Sequence, residues 1–165
     1  MADASHLHPH VAAALEGVDV PFEVIACDDD KADTEAFCAA YGYSPSESAN
    51  TIVVIGKSDP PVYAACVLLA TTRLDVNKAV KQRFGTRKAS FAPSDTSVEI
   101  TGQTPGGITP VGLPAELPLW VDAAVMACDR IILGGGNRTS KIYAPPSLLS
   151  ALGAEVVEGL ANPYG

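Results

Sequence analysis

The sequence predicts an α+β fold with a mixed or antiparallel sheet, and three observations carry that prediction. Apolar strand-like runs come in neighbouring pairs, with short helical patterns between them and no regular strand–helix–strand alternation. One pair, residues 50–55 and 62–69, is apolar almost throughout, as in strands covered on both faces. A stretch over 100–114, with four glycines and three prolines, suits neither a helix nor a central strand, and a second glycine-rich turn lies at 134–136. Glycine there serves positive φ or close approach, and the prolines of the first stretch remove amide donors.

The 165 residues, 47% of them hydrophobic and 18% charged, predict one domain spanning 1–165 with a sizeable core. No apolar run approaches the roughly 20 residues that span a bilayer. The start, Met1-Ala2-Asp3-Ala4-Ser5-His6, has no signal-peptide pattern, so a cytoplasmic, membrane-free protein is expected.

The cysteines Cys27, Cys38, Cys66 and Cys128 show no CxxC spacing. Cys38 and Cys66 read as buried thiols, and no disulfide framework is expected. His6, His8 and His10 all lie at the N-terminus, so no base is at hand for a thiol nucleophile. Their alternate spacing does not put three rings on one helical face, and neither a metal nor a cofactor is expected.

The net charge of −8 argues against a protein that coats nucleic acid non-specifically, and no DNA partner is expected. The charge is uneven. Residues 1–60 hold eleven acids against Lys31 and Lys57, whereas Arg73, Lys78, Lys81, Arg83, Arg87 and Lys88 crowd a stretch whose sole acid is Asp75. That stretch is either a landing site for a polyanion or a solvated helix face.

In chain order, 5–16 reads as a helix with Pro9 in its first turn and Gly17 ending it. A strand at 22–26 and a turn at Asp28-Asp29-Asp30 precede a helix over 33–41 closed by Gly42. Ser44-Pro45-Ser46-Glu47 combines a capping box with proline at the first helical position. The apolar hairpin follows and is expected at the centre of the sheet. Asp75 caps a third helix with Val76, Ala79, Val80 and Phe84 on its buried stripe and Gly85 as its stop. A strand at 88–91, a short helix from Pro93, an element at 119–122, strands at 130–133 and 142–143, a helix at 145–152 and an edge strand at 155–157 complete the series.

Gly134-Gly135-Gly136-Asn137-Arg138-Thr139-Ser140-Lys141 lacks P-loop spacing and leads into a strand, not a helix. It is either an anion-contacting hairpin tip or an ordinary glycine turn.

The order of motifs resembles the YbaK/prolyl-tRNA-synthetase-associated editing domain family from about residue 20 to 158. The shared features are the strand at Asn50-Thr51-Ile52-Val53-Val54, Arg73-Leu74-Asp75-Val76-Asn77-Lys78, and Thr101-Gly102 before Gly106-Gly107-Ile108-Thr109-Pro110-Val111-Gly112. Pro118-Leu119-Trp120-Val121-Asp122 and Gly134-Gly135-Gly136 complete them. The resemblance implies a mixed, partly closed β-barrel-like sheet with surrounding helices. It also implies a trans-acting aminoacyl-tRNA deacylase: water attacks the ester while backbone amides of the loop formed by Gly106, Gly107, Ile108, Thr109 and Pro110 hold the carbonyl. No metal or cofactor is implied. The partner would be the tRNA acceptor end, bound by Asn50, Lys78, Gly112, Gly135, Gly136, Arg138 and Lys141, and a homodimer is left open. Active members of the family generally carry a lysine where Asn50 stands here. An inactive aminoacyl-tRNA or nucleotide binding module is therefore one alternative; a small-molecule ester hydrolase is another, since an acidic surface is a poor general platform for tRNA.

Overall fold

The computed structural model describes residues 4–164. A helical turn at Ala4–His6 precedes α1 (Pro9–Glu16). The helix expected from residue 5 starts only at Pro9, whose fixed φ and missing N–H suit the first helical position. Strand β1 (Glu23–Ala26) leads through a turn at Asp29–Lys31 to α2 (Thr34–Tyr41), which Gly42 closes at φ +81°. The capping box at Ser44 and Glu47 forms and delivers the chain into β2 (Ala49–Gly56).

Strand β2 pairs along its full length with β3 (Val62–Leu69). Strand β4 (Thr72–Leu74) follows, unannounced in the sequence because Arg73 interrupts any apolar run there. The third helix opens as a π-helical turn, Val76–Val80, and continues as α3 (Lys81–Phe84). The Asp75 side chain caps it by accepting the Lys78 N–H, while Val80 N donates to Asp75 O five residues back. Then come β5 (Ala89–Phe91), α4 (Ser94–Thr101), β6 (Leu119–Asp122), α5 (Ala123–Met126), β7 (Ile131–Gly134) and β8 (Ser140–Ala144). The chain ends with α6 (Ser147–Ala151), β9 (Glu155–Val157) and β10 (Ala161–Pro163).

The five-stranded sheet runs β5-β2-β3-β6-β9, with the hairpin at its centre as expected. It is mixed, because β6 lies parallel to both β3 and β9. An antiparallel sheet β1-β8-β7 meets it at an isolated bridge between Ser48 and Ile132, which leaves the curved surface partly closed. Strand β10 pairs with β4, and the buried Asp122 carboxylate accepts the Ala161 N–H at 3.1 Å.

Alternation along β2 and β3 divides the core. One cluster, including Val67, Val121, Leu133, Ile142 and Leu149, fills the space between the two sheets and α1. A second, with Val54, Cys66, Leu68, Val80, Trp120 and Leu160, lies on the opposite face beneath the 76–84 helix. Each fully buried Val, Leu or Ile contributes about 1.5–3 kcal/mol. No helix among the described residues is long and apolar enough to cross a membrane.

Candidate acyl site

The loop that follows α4 is built by one side chain. Gln103, 1% exposed, accepts the Thr109 N–H on Oε1 at 2.8 Å and donates from Nε2 to the Val111 carbonyl at 2.8 Å. It thereby clamps both ends of a bulge whose tip is a turn, with Gly107 N donating to Thr104 O at 3.0 Å. Gly106 sits at φ +82° within that turn, a conformation that a side chain would strain.

The second glycine stretch locks against the first. Gly136 N donates to Gly107 O at 2.7 Å and Thr104 N to Gly136 O at 2.9 Å. A Cβ on Gly107 would collide with the Asn137 carbonyl, and one on Gly134 would lie 2.6 Å from Gly107 O. The N-terminal segment backs this junction: His8 N donates to Gly135 O at 3.0 Å, and Asn137 Nδ2 to His6 O at 2.9 Å. Of the three histidines, His6 and His10 are exposed and His8 is half-buried; none lines the cleft in front of the loop.

Loop, β2, β8 and the start of α2 enclose that cleft, of about 330 Å³. Asn50, Thr51 and Ile52 form one wall, Gly106, Ile108 and Gly134 another, and Ala32, Asp33, Thr34 and Lys141 close it. Thr34 Oγ1 donates to Asn50 Oδ1 at 3.2 Å, which leaves the Asn50 amide nitrogen as a donor. Lys141 is 9% exposed; its Nζ donates to Ala32 O at 2.6 Å and lies 5.6 Å from the centre of the Phe37 ring. Burial pushes its pKa below the usual lysine value, opposed by the nearby Cys27 and Asp33. Thr51 Oγ1 is buried without a protein partner.

Among the loop amides, Gly107 and Thr109 donate within the protein and Pro110 has none. Among the described residues, the Gly106 and Ile108 amides have no protein acceptor, and both residues line the cleft. Arg138 does not line it but packs its guanidinium over Gly106, held by Asp29 (Nε–Oδ1 3.2 Å) and by Asp33 at 3.6 Å. The other residues expected at the site lie elsewhere. Gly135 packs on Ser140, Gly136 on His8 and Val11, and Pro110 and Gly112 line a separate hollow beside Ala14 and Leu117. Lys78 is exposed on the π-helical turn, away from the cleft lining. The sequence does not single out Gln103 or Thr34, and of the expected glycine tip it is Gly134 that lines the cleft. A lone glutamine, the one long amide in an uncharged Gly/Pro segment, was the available signal for Gln103.

No group of three histidine, cysteine or acidic residues placed to hold a metal exists among the described residues. Thiol chemistry is disfavoured: burial pushes Cys66 up to about 12 and raises Cys27, Cys38 and Cys128 as well.

A model of the aminoacyl-tRNA editing domain matches residues 28–150. A protein of Enterococcus faecalis, named as a candidate Cys-tRNA(Pro)/Cys-tRNA(Cys) deacylase EbsC, is 25% identical over 134 residues, 81% of this chain and 80% of that one. The proline–tRNA ligase of Bacillus licheniformis is 33% identical over 112 residues, 66% of this chain and 18% of the ligase. The crystal structure of hypothetical protein APE2540 superposes with a TM-score of 0.82 at 25% identity, over 93% of this chain and 99% of that one. That of a candidate trans-editing enzyme for prolyl tRNA synthetase gives 0.79 at 22% identity, over 96% and 97%, a likeness of fold.

Proposed function

The chain belongs to the aminoacyl-tRNA editing domain family, and on that premise we propose that it hydrolyses the ester of a mischarged aminoacyl-tRNA. The observation that carries this reading is the meeting of two partnerless amides, Gly106 and Ile108, with Asn50 and Lys141 around one cleft. The ester carbonyl oxygen accepts from those two amides, which are held in place before reaction by Gln103 and by the Gly107–Gly136 contact. Water adds to the carbonyl carbon, the bond to the ribose oxygen breaks, and the water's proton passes to that oxygen. The products are the free amino acid and intact tRNA.

Asn50 and Lys141 bind the terminal nucleotide in this scheme. Asn50 donates through its amide nitrogen, and Lys141 through the two donors that Ala32 leaves unused. Arg138 acts on the loop from behind, through Gly106. Incubation with a panel of mischarged tRNAs tests the proposal: release of amino acid from at least one is expected, and release from none overturns it.

A second reading, binding without turnover, draws on the cleft's lining. Among the described residues Asp33 is its only carboxylate, histidine and cysteine are absent from it, and Asn50 supplies no charge. Tight binding of aminoacyl-tRNA without ester loss would favour it.

A further inference from the structure

The basic stretch that the cleft leaves unused has its own geometry. In the register of the five-stranded sheet, Phe91 of β5 stands opposite Val54 of β2. Side chains alternate along a strand, so Asn50, Ile52 and Val54 share one face with Phe91; Val54 itself is buried beneath the 76–84 helix, and Phe91 stands at the exposed edge of that covered face. Asn50 and Ile52 line the cleft, and Val54 is about 13 Å further along than Asn50 at roughly 3.3 Å per residue. Phe91 is 54% exposed. With Arg73, Asn77 and Tyr164 it lines a groove of about 760 Å³, where the Arg73 guanidinium lies 5.1 Å from the Tyr164 ring centre. Tyr164 is 60% exposed.

Asn77 also lines the next hollow, of about 410 Å³, together with Lys57, Lys81, Arg87 and Lys88. No acidic residue lines it. Among the described residues none of these four cations, nor Arg73, forms an ion pair, on a chain whose net charge is −8. Asp75, the acid of the neighbouring groove, has its Oδ1 engaged by the Lys78 N–H. Solvated helix faces normally intersperse the two signs of charge. Exposed rings followed by unneutralised cations are instead what a single strand of nucleic acid uses, bases on the rings and phosphates on the cations.

We propose that the single-stranded 3′ end of the tRNA runs from the acyl cleft across Phe91 and Tyr164, and that the Lys57–Lys81–Arg87–Lys88 hollow takes the phosphates of the duplex behind it. This surface rests on the reading of the chain as acting on aminoacyl-tRNA, and extends it from the acyl group to the body of the substrate. It makes an acidic protein compatible with RNA by confining the positive field to one path.

Filter binding of uncharged tRNA tests the surface apart from catalysis. The triple variant Lys81→Gln/Arg87→Gln/Lys88→Gln is expected to lose about tenfold or more in affinity. Its slope of log K against log salt should flatten by about 2.7, at roughly 0.9 for each phosphate no longer neutralised. Phe91→Ala should lose about fivefold or more on intact tRNA and nothing on tRNA trimmed of its 3′ single strand. A triple variant that keeps a native circular dichroism spectrum and the parent's affinity and salt slope overturns the proposal, as does a parent protein that binds no tRNA. A parent that binds tRNA through this surface but releases no amino acid refutes the hydrolase reading and leaves the surface standing. A deacylating parent with an unaffected triple variant does the reverse.

Discussion

Gln103 and Thr109 are joined by a 2.8 Å bond from the Thr109 amide to Gln103 Oε1, inside a site that water barely reaches. The same side chain holds Val111 O, so one residue fixes the path of the loop between them and leaves the Gly106 and Ile108 amides uncommitted. Preorganisation of that kind is what an oxyanion site needs, because donors already in place cost no reorganisation during reaction.

Gln103→Leu should therefore cost about 2–4 kcal/mol, since it leaves a buried N–H and a buried carbonyl unsatisfied together. Urea denaturation measures this. Deacylation should fall further than the stability loss explains, and full activity in the folded variant would dismiss Gln103 as the loop's organiser.

The two adjacent glycines should differ in tolerance. Gly107→Ala drives a methyl into the Asn137 backbone and should cost about 3 kcal/mol. Gly106→Ala meets the movable end of Arg138 and a positive φ, for about 1–2 kcal/mol. Denaturation midpoints that reverse this order would contradict the interlock of the two glycine stretches.

Thr51→Val exchanges a buried, unpartnered hydroxyl for a methyl of similar size. A gain of about 1 kcal/mol in stability is expected, because the orphaned group carries a desolvation cost. Thermal melting measures this, and an unchanged or lowered melting temperature would show that the hydroxyl is not orphaned.

Lys141 has its pKa lowered by burial, so the native state releases its proton at a lower pH than the unfolded chain does. Between the lowered value and the ordinary 10.5 the unfolded state binds more protons, and stability rises with pH. The difference in stability between the parent and Lys141→Met should shift in the parent's favour as pH climbs toward 10.5. Paired melts across that range would show it, and a flat difference would argue against a buried ammonium.

Asn50→Lys adds a charge beside Lys141 and removes the acceptor of Thr34 Oγ1. Hydrolysis gained by an otherwise inert protein would favour the binding-module reading of the parent. An already active parent should gain cleft affinity for the anionic end of the tRNA, because a second cation adds to the attraction and the bound anion relieves the repulsion between the two lysines; single-turnover rates separate these cases.

Local physics made most elements legible. The capping box at Ser44, the stops at Gly42 and Gly85, and the apolar hairpin of β2 and β3 each depend on residues close in sequence, and each formed. Strands β4 and β10 escaped because Thr72-Arg73-Leu74, with a charge at its centre, and Ala161-Asn162-Pro163, ending in Asn-Pro, carry no strand-forming run, and they pair with one another across the chain.

By itself the sequence determined the hairpin, the caps, the two glycine stretches and the family they signal. Tertiary structure alone decided which groups face the cleft. Lys141 comes beside Asn50 because β8 pairs with β7 in a register that turns its side chain inward, while Lys78, nearer in sequence, stays outside. Gly134 reaches the cleft and Gly135 turns away to Ser140. Side-chain direction reverses with each residue along a strand, and pairing register is set by distant partners, so no local pattern could have made these choices.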